Sequence, residues 1–291
     1  MNLIYSKIKD ILDLIVFKHS IFALPFLFTS MIVASKIVND STWFGFKALI
    51  LGVICAVSAR NFAMAFNRFV DEDIDKPNPR CKDRPNISGK IGKFSIIAFI
   101  IANALIFILS SYFINALAFY LSFPILFVLA IYSLFKRFSS LAHLVLGFCL
   151  GLAPIAGSVV VMGEIHIYSV ILCLGVMFWT AGFDLLYSLQ DMEYDRSAGL
   201  HSIPAKFGLN ATLFISAFCH LLAVLFWLLF VWVAPLGYIA LCGVIISGVI
   251  LLSEHFIVRK NFAKIDKAFF TLNGYLSMVF FIFIWVDLLW K

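Results

Sequence analysis

HIYSVILCLGVMFWTAGFDLLYSLQDMEYD, residues 166–195, carries no charged side chain from Ile167 to Phe183 and then four acids in its last twelve positions. Roughly 20 apolar residues rising about 1.5 Å each cross the hydrocarbon layer of a bilayer, so the first part of this stretch is expected to span a membrane as a helix. Asp184 lies within the span, where a carboxylate needs a partner. Asp191 and Asp195 lie where the span runs out.

The rest of the chain follows the same pattern. It is 63% hydrophobic and 13% charged, with 33 Phe in 291 residues, whereas soluble domains are typically about 25% charged. A soluble globular protein is excluded. Apolar runs bounded by charges and turn residues predict nine spans, near 20–38, 46–69, 94–115, 116–135, 140–163, 166–190, 209–232, 234–253 and 268–290. The expected fold is therefore an all-α, polytopic membrane bundle around a central cavity, one integral membrane domain over 1–291. With the N-terminus cytoplasmic, the inner segments 1–19, 70–93, 136–139, 191–208 and 254–267 hold 17 of the 22 Lys and Arg. That bias places the N-terminus and the acid-rich loops 70–93 and 191–208 inside and the C-terminus outside. The net charge of +6 is then topology, and no nucleic-acid partner is called for. Residues 2–17 space apolar side chains at helical intervals between Lys7, Lys9, Asp10 and Asp13, which suits a retained helix lying in the interface over 1–19. The six cysteines show no CxxC spacing and are read as small packing residues.

A second acid-rich helix end occurs in the first half. Asn67, Asp71 and Asp75 step by four residues, as do Tyr187, Asp191 and Asp195, and matching positions are 120 residues apart. The spacing suggests two related four-helix units plus one further helix. Residues four apart share a helical face, so each set forms a stripe of oxygen ligands, with Asp184 one turn deeper. All-oxygen stripes favour a hard cation such as Mg²⁺, which is usually held by one or two carboxylates and completed by water and phosphate oxygens. Cations able to hold phosphate are close in sequence: Arg80 and Arg84 in KPNPRCKDRPNISGKI (76–91), and Lys136 and Arg137 after Tyr132. Arg60 lies two turns before Asn67, inside the second span, where a guanidinium requires an anion. Glu72, Asp73, Asp83 and Glu193 are read as solvated loop acids. His19, His166, His201, His220 and His255 show no metal-ligand spacing and are read as packing or interfacial residues.

On these residues the chain resembles the UbiA-type intramembrane prenyltransferases. Their first motif, Asn with Asp at four and eight residues and then Arg-Pro-x-x-Ser-Gly, corresponds here to Asn67, Asp71, Asp75 and RPNISG from Arg84. Their second, Asp-x-x-Tyr-x-x-x-Asp-x-x-x-Asp, corresponds to DLLYSLQDMEYD from Asp184. HSIFALPF (19–26) and YSLFKRFSSLAHLVLG (132–147) look like the family's segments at the same places. Many members carry Asp directly after the first-motif Asn, where this chain has Arg68; Ser139 stands where Thr is common, and His143 where some have Gln.

The resemblance implies a polyprenyl diphosphate donor and an aromatic acid acceptor such as 4-hydroxybenzoate or a dihydroxynaphthoate, in respiratory quinone synthesis at a bacterial inner membrane. It implies Mg²⁺ on Asn67, Asp71, Asp75, Asp184, Asp191 and Asp195. It gives the diphosphate to Arg80, Arg84, Lys136 and Arg137, with Tyr187 beside it, the acceptor carboxylate to Arg60, and the carbocation to a π-rich cavity around Tyr132. A secondary transporter with intramembrane carboxylates is the rival reading of the same residues.

Overall fold

The computed structural model describes residues 9–15, 22–260, 265 and 268–291. Lipid offers backbone groups no hydrogen-bond partner, so each apolar run closes its own hydrogen bonds as a helix, and the described residues contain no strand. The long helices are α1 (Leu24–Asn39), α2 (Phe46–Val70), α3 (Lys93–Ile114), α4 (Ala116–Ile131), α5 (Ala142–Met162), α6 (Ile167–Ser188), α7 (Ile203–Val233), α8 (Tyr238–Lys260) and α9 (Asn273–Trp290). Eight described helices are long and apolar enough to cross a membrane, whereas α1 has 16 residues. The first residues of the expected span 20–38 and most of the expected interfacial helix 1–19 lie outside the described residues. Within the latter, 9–14 are helical and Leu14 and Ile15 are buried. Helix α7 begins about six residues before the expected 209 because Gly208, at φ +77°, lets two helical segments join across a kink that an L side chain would strain.

Helix α6 is central: 72% of its membrane-length window is buried against 17% for the window that includes α4. It packs on α5 and α7, α1 packs on α5, and α2, α3 and α4 form the opposite flank. Glycines permit the closest of these approaches. A Cβ on Gly147 or Gly151, four residues apart on α5, would lie 2.2 Å from the Met177 carbonyl oxygen or 2.7 Å from that of Cys173 on α6. Where α1, α6, α7 and α9 meet, Phe26, Trp179, Trp227 and Phe280 form an aromatic core with ring centroids 5.1–6.4 Å apart. A polar chain crosses that end of the bundle: Trp179 Nε1 donates to Asn273 (2.8 Å), and Asn273 Nδ2 donates to Glu254 (3.0 Å). His220 and His255 pair at 2.9 Å between α7 and α8, which agrees with a packing role.

The N-terminus of α8 is closed by a residue that sequence patterning does not single out. Asp287 of α9 accepts from the backbone N–H groups of Gly237 (2.7 Å), Ile239 (3.1 Å) and Ala240 (3.1 Å), a carboxylate placed against orphan donors and the positive end of the helix dipole. Asp287→Ala is expected to lower stability by about 1–3 kcal/mol, read as a lower Tm of the detergent-solubilised protein.

Candidate active site

The acid motifs sit at matched helix ends. Helix α2 stops at Val70, Asp71 takes φ −85° and ψ 8°, and one short helix, Glu72–Asp75, follows. Helix α6 stops at Ser188 and passes through a 3₁₀ turn to Asp191, at φ −100° and ψ 1°, before the helix Met192–Ser197. Four-residue spacing predicts unbroken helical stripes; instead each stripe breaks at its middle aspartate, which occupies the sparsely allowed bridge region common among active-site residues. The breaks fold the two ends towards each other, and Tyr194 donates to the carbonyl of Ile74 (2.5 Å), its counterpart 120 residues earlier.

Between them lies a cavity of about 820 Å³ lined by Asn67, Asp71, Asp75, Asp184, Tyr187, Asp191 and Asp195, and by Arg60, Arg80, Arg84, Tyr132 and Lys136. The sequence-derived residues thus come together, with one exception. Arg137 is absent from the cavity wall: it holds Asp73 through both terminal nitrogens (2.9 and 2.7 Å) and the Val70 carbonyl (2.8 Å), and stays 3.7 Å from Asp71. Arg137 thereby holds the exposed Asp73 carboxyl below its ordinary range.

Three of the acids, Asp71, Asp75 and Asp191, are held by cations or amides. Asp71 accepts from Asn67 (2.8 Å) and faces Lys136 at 3.1 Å. Burial pushes its carboxyl above the usual carboxylate range, against the opposing pull of Lys136. Asp191 accepts from Asn78 (3.2 Å) and Arg80 (2.8 Å), and Arg80 also donates to Tyr187 (3.0 Å) and lies over its ring. Asp75 accepts from Arg84, has Arg68 at 3.8 Å, and takes the Cys81 thiol at 3.5 Å. Burial pushes that thiol up to about 11. Asp75 therefore steadies Arg84, while Arg80 is steadied by Asp191 across the cavity. Asp195 lines the same cavity, with Ser202 on its wall.

Sequence reasoning missed the partner of Asp184, which is His143 on α5, Nδ1 lying 2.7 Å from Oδ2. The two residues are 41 apart, on different helices, and no spacing rule joins them. Asn78 and Ser202 were likewise invisible.

Among the described residues no three metal-type ligands are already grouped. The donor set nevertheless fits a hard cation: Asp71, Asp184, Asp191 and Asp195 offer carboxylate oxygens and Asn67 an amide oxygen, and Asp71 Oδ1 is buried with no hydrogen bond among the described residues.

A narrower apolar cavity of about 140 Å³ continues from the polar one, sharing Arg60, Met64, Tyr132, Leu146 and Leu150 with it. Small residues of α2 and α5, among them Gly52, Ala56, Ala153 and Ala156, line it towards the opposite ends of those helices.

Comparison with known proteins agrees with this architecture. The chain is 26% identical over 254 residues, 87% of each chain, to the 4-hydroxybenzoate octaprenyltransferase of Francisella tularensis subsp. novicida (strain U112). The apo structure of a UbiA homolog from Aeropyrum pernix K1 superposes with a TM-score of 0.83 at 30% identity, covering 92% of this chain and 98% of that one. The fold is shared with a UbiA homolog from Archaeoglobus fulgidus bound to DMAPP and Mg²⁺, at TM-score 0.72 and 18% identity over 96% and 99% of the two chains. The model of the UbiA prenyltransferase family matches residues 23–285, and the chain is an integral membrane transferase of prenyl groups that belongs to this family.

Proposed function

We propose that the protein moves a polyprenyl group from an allylic diphosphate to a hydroxylated aromatic acid, 4-hydroxybenzoate or a dihydroxynaphthoate, for a respiratory quinone. The observation that carries the reading is the joined pair of cavities: a charged chamber of oxygen ligands and cations leading into an apolar channel, with Arg60 and Tyr132 at the junction. A lipid-soluble tail fits the channel, its diphosphate fits the chamber, and a small aromatic acid reaches the junction between them. The prenyltransferase family leaves the transporter reading without support. The excess of Lys and Arg on that face supports a cytoplasmic position for the chamber, in what we take to be a bacterial inner membrane.

Asn67, Asp71, Asp184, Asp191 and Asp195 would hold Mg²⁺, which when bound neutralises charge on the departing diphosphate. Lys136 and Arg80, now paired with Asp71 and Asp191, would turn to phosphate oxygens, and Arg84 would reach them from its seat on Asp75. Asp75 keeps Arg84 in place. The C–O bond breaks with its electron pair leaving on the diphosphate, the aromatic ring carbon bonds to the allylic carbon, and the ring then loses its proton. Tyr132 and the apolar junction shield the cation from water, which would otherwise capture it. Arg60 takes the acceptor carboxylate, a bidentate match for a guanidinium.

Purified protein with geranyl diphosphate, Mg²⁺ and either acid is expected to give a C-prenylated acid and free diphosphate by mass spectrometry, and EDTA is expected to stop it. Prenylation of a glycerol phosphate in place of both acids would refute the acceptor assignment.

A further inference from the structure

Arg68 follows Asn67 at the end of α2 and lines the chamber. Its side chain is only 12% exposed, and its sole ionic contact among the described residues is Asp75 Oδ2 at 3.8 Å, beyond hydrogen-bonding distance. That same oxygen already accepts from Arg84. Among the described residues no hydrogen bond from the Arg68 guanidinium is found, although its backbone carbonyl accepts from Asn86 (3.1 Å). Five N–H donors on a planar cation thus reach the chamber wall with little to bind. None of its nitrogens is among the fully covered unpartnered atoms, so they border the cavity and are not sealed in the protein.

Two guanidiniums sharing one carboxylate leave a surplus positive charge at a low-dielectric helix end. That arrangement is costly unless a second anion is present for part of the catalytic cycle. The missing anion must offer several oxygens in a fork geometry and lie at the chamber's polar end, beside Arg84. Arg60 lies two turns deeper on α2 and borders the apolar channel, so the two arginines face different parts of the cavity.

Resting on the prenyl-transfer reading above, we infer that Arg68 is a further diphosphate-binding residue, acting with Arg84 as a two-arginine clamp on the donor's phosphates. The family pattern often places a carboxylate at this position. Here a guanidinium reverses the charge, so part of the work of holding the leaving group passes from metal to protein.

The test is binding of inorganic pyrophosphate and of geranyl diphosphate to the detergent-solubilised protein, each with Mg²⁺ and with EDTA, for wild type, Arg68→Ala and Arg68→Lys. Charge-assisted hydrogen bonds of this kind are worth roughly 10- to 100-fold in affinity. Arg68→Ala is expected to weaken pyrophosphate binding by at least about tenfold in both conditions, with Arg68→Lys between it and wild type, while 4-hydroxybenzoate affinity moves less than about twofold. Should Arg68→Ala fail to fold, the Arg68→Lys result decides alone, since it keeps the charge and loses the fork. Wild-type pyrophosphate affinity in both variants, or loss of 4-hydroxybenzoate affinity instead, overturns the inference. A wild type that binds neither diphosphate overturns the prenyl-transfer reading as well, whereas a wild type that prenylates normally beside unaffected variants refutes only the role of Arg68.

Discussion

Asp71→Ala and Asp191→Ala are each expected to lower kcat/KM for geranyl diphosphate by about a thousandfold or more, with Tm changed by only a few degrees. The magnitude follows from what each carboxylate does. Removing a single preorganised group that stabilises transition-state charge costs about 10²–10³ in rate, and each aspartate would support a metal as well. Each substitution also leaves cations without a counter-charge: Lys136 loses Asp71 at 3.1 Å, and Arg80 loses Asp191 at 2.8 Å. Small stability effects are expected because both residues sit at helix ends facing a cavity, outside the aromatic core between α1, α6, α7 and α9. Asp73→Ala is the matched control. It lies two residues from Asp71, but its side chain is 64% exposed and holds only Arg137 and the adjacent Ile74 N–H, so activity should stay within about threefold. Measuring all three variants by product formation and thermal unfolding separates chemistry from folding. Equal losses for Asp73 and Asp71 would mean that general negative charge at this face, and not the two motifs, supports activity.

Much of this site was legible because the bilayer is a strict solvent. Apolar runs such as 166–183 can only be helices there, so charges at their ends mark a surface, and aspartates recurring at matched ends mark a shared cavity. What was not legible lay in the exact course of the backbone and in contacts between distant helices. Spacing of four residues reads as a continuous helix, and it concealed the breaks at Asp71 and Asp191 that bring the motifs together. Lys136 and Arg137 are neighbours in sequence, yet a 3₁₀ segment sends one to Asp71 in the chamber and the other to Asp73 outside it. His143 meets Asp184, and Asp287 caps α8, only because α5, α6, α8 and α9 pack as they do. Arg68 was visible as a departure from the family pattern, but the sharing of Asp75 with Arg84 was not.

Gly147→Ala is expected to destabilise the folded protein by about 1–3 kcal/mol, and Gly147→Val to abolish it, although neither change touches a charged group. The new Cβ would stand 2.2 Å from the Met177 carbonyl oxygen and 3.3 Å from the Ala181 nitrogen, both backbone atoms of α6. A flexible side chain can move aside, but a helix backbone cannot, so α5 and α6 would have to separate. Lipid gives little hydrophobic return for such a rearrangement, because helix association in a membrane depends on close van der Waals fit. The consequence reaches the site, since α5 carries His143 while α6 carries Asp184 and leads directly to Asp191. Even a variant that survives purification should therefore lose activity beyond its loss of folded protein. Gly248→Ala on α8 provides the contrast: its Cβ would meet only a Val224 methyl at 3.6 Å, so the change is expected to be neutral or to stabilise by a few tenths of a kcal/mol. Size-exclusion profiles and Tm in detergent read both outcomes. If Gly147→Ala matches wild type in both, the backbones of α5 and α6 stand further apart in the membrane than this packing requires, and the Asp184–His143 contact goes with them.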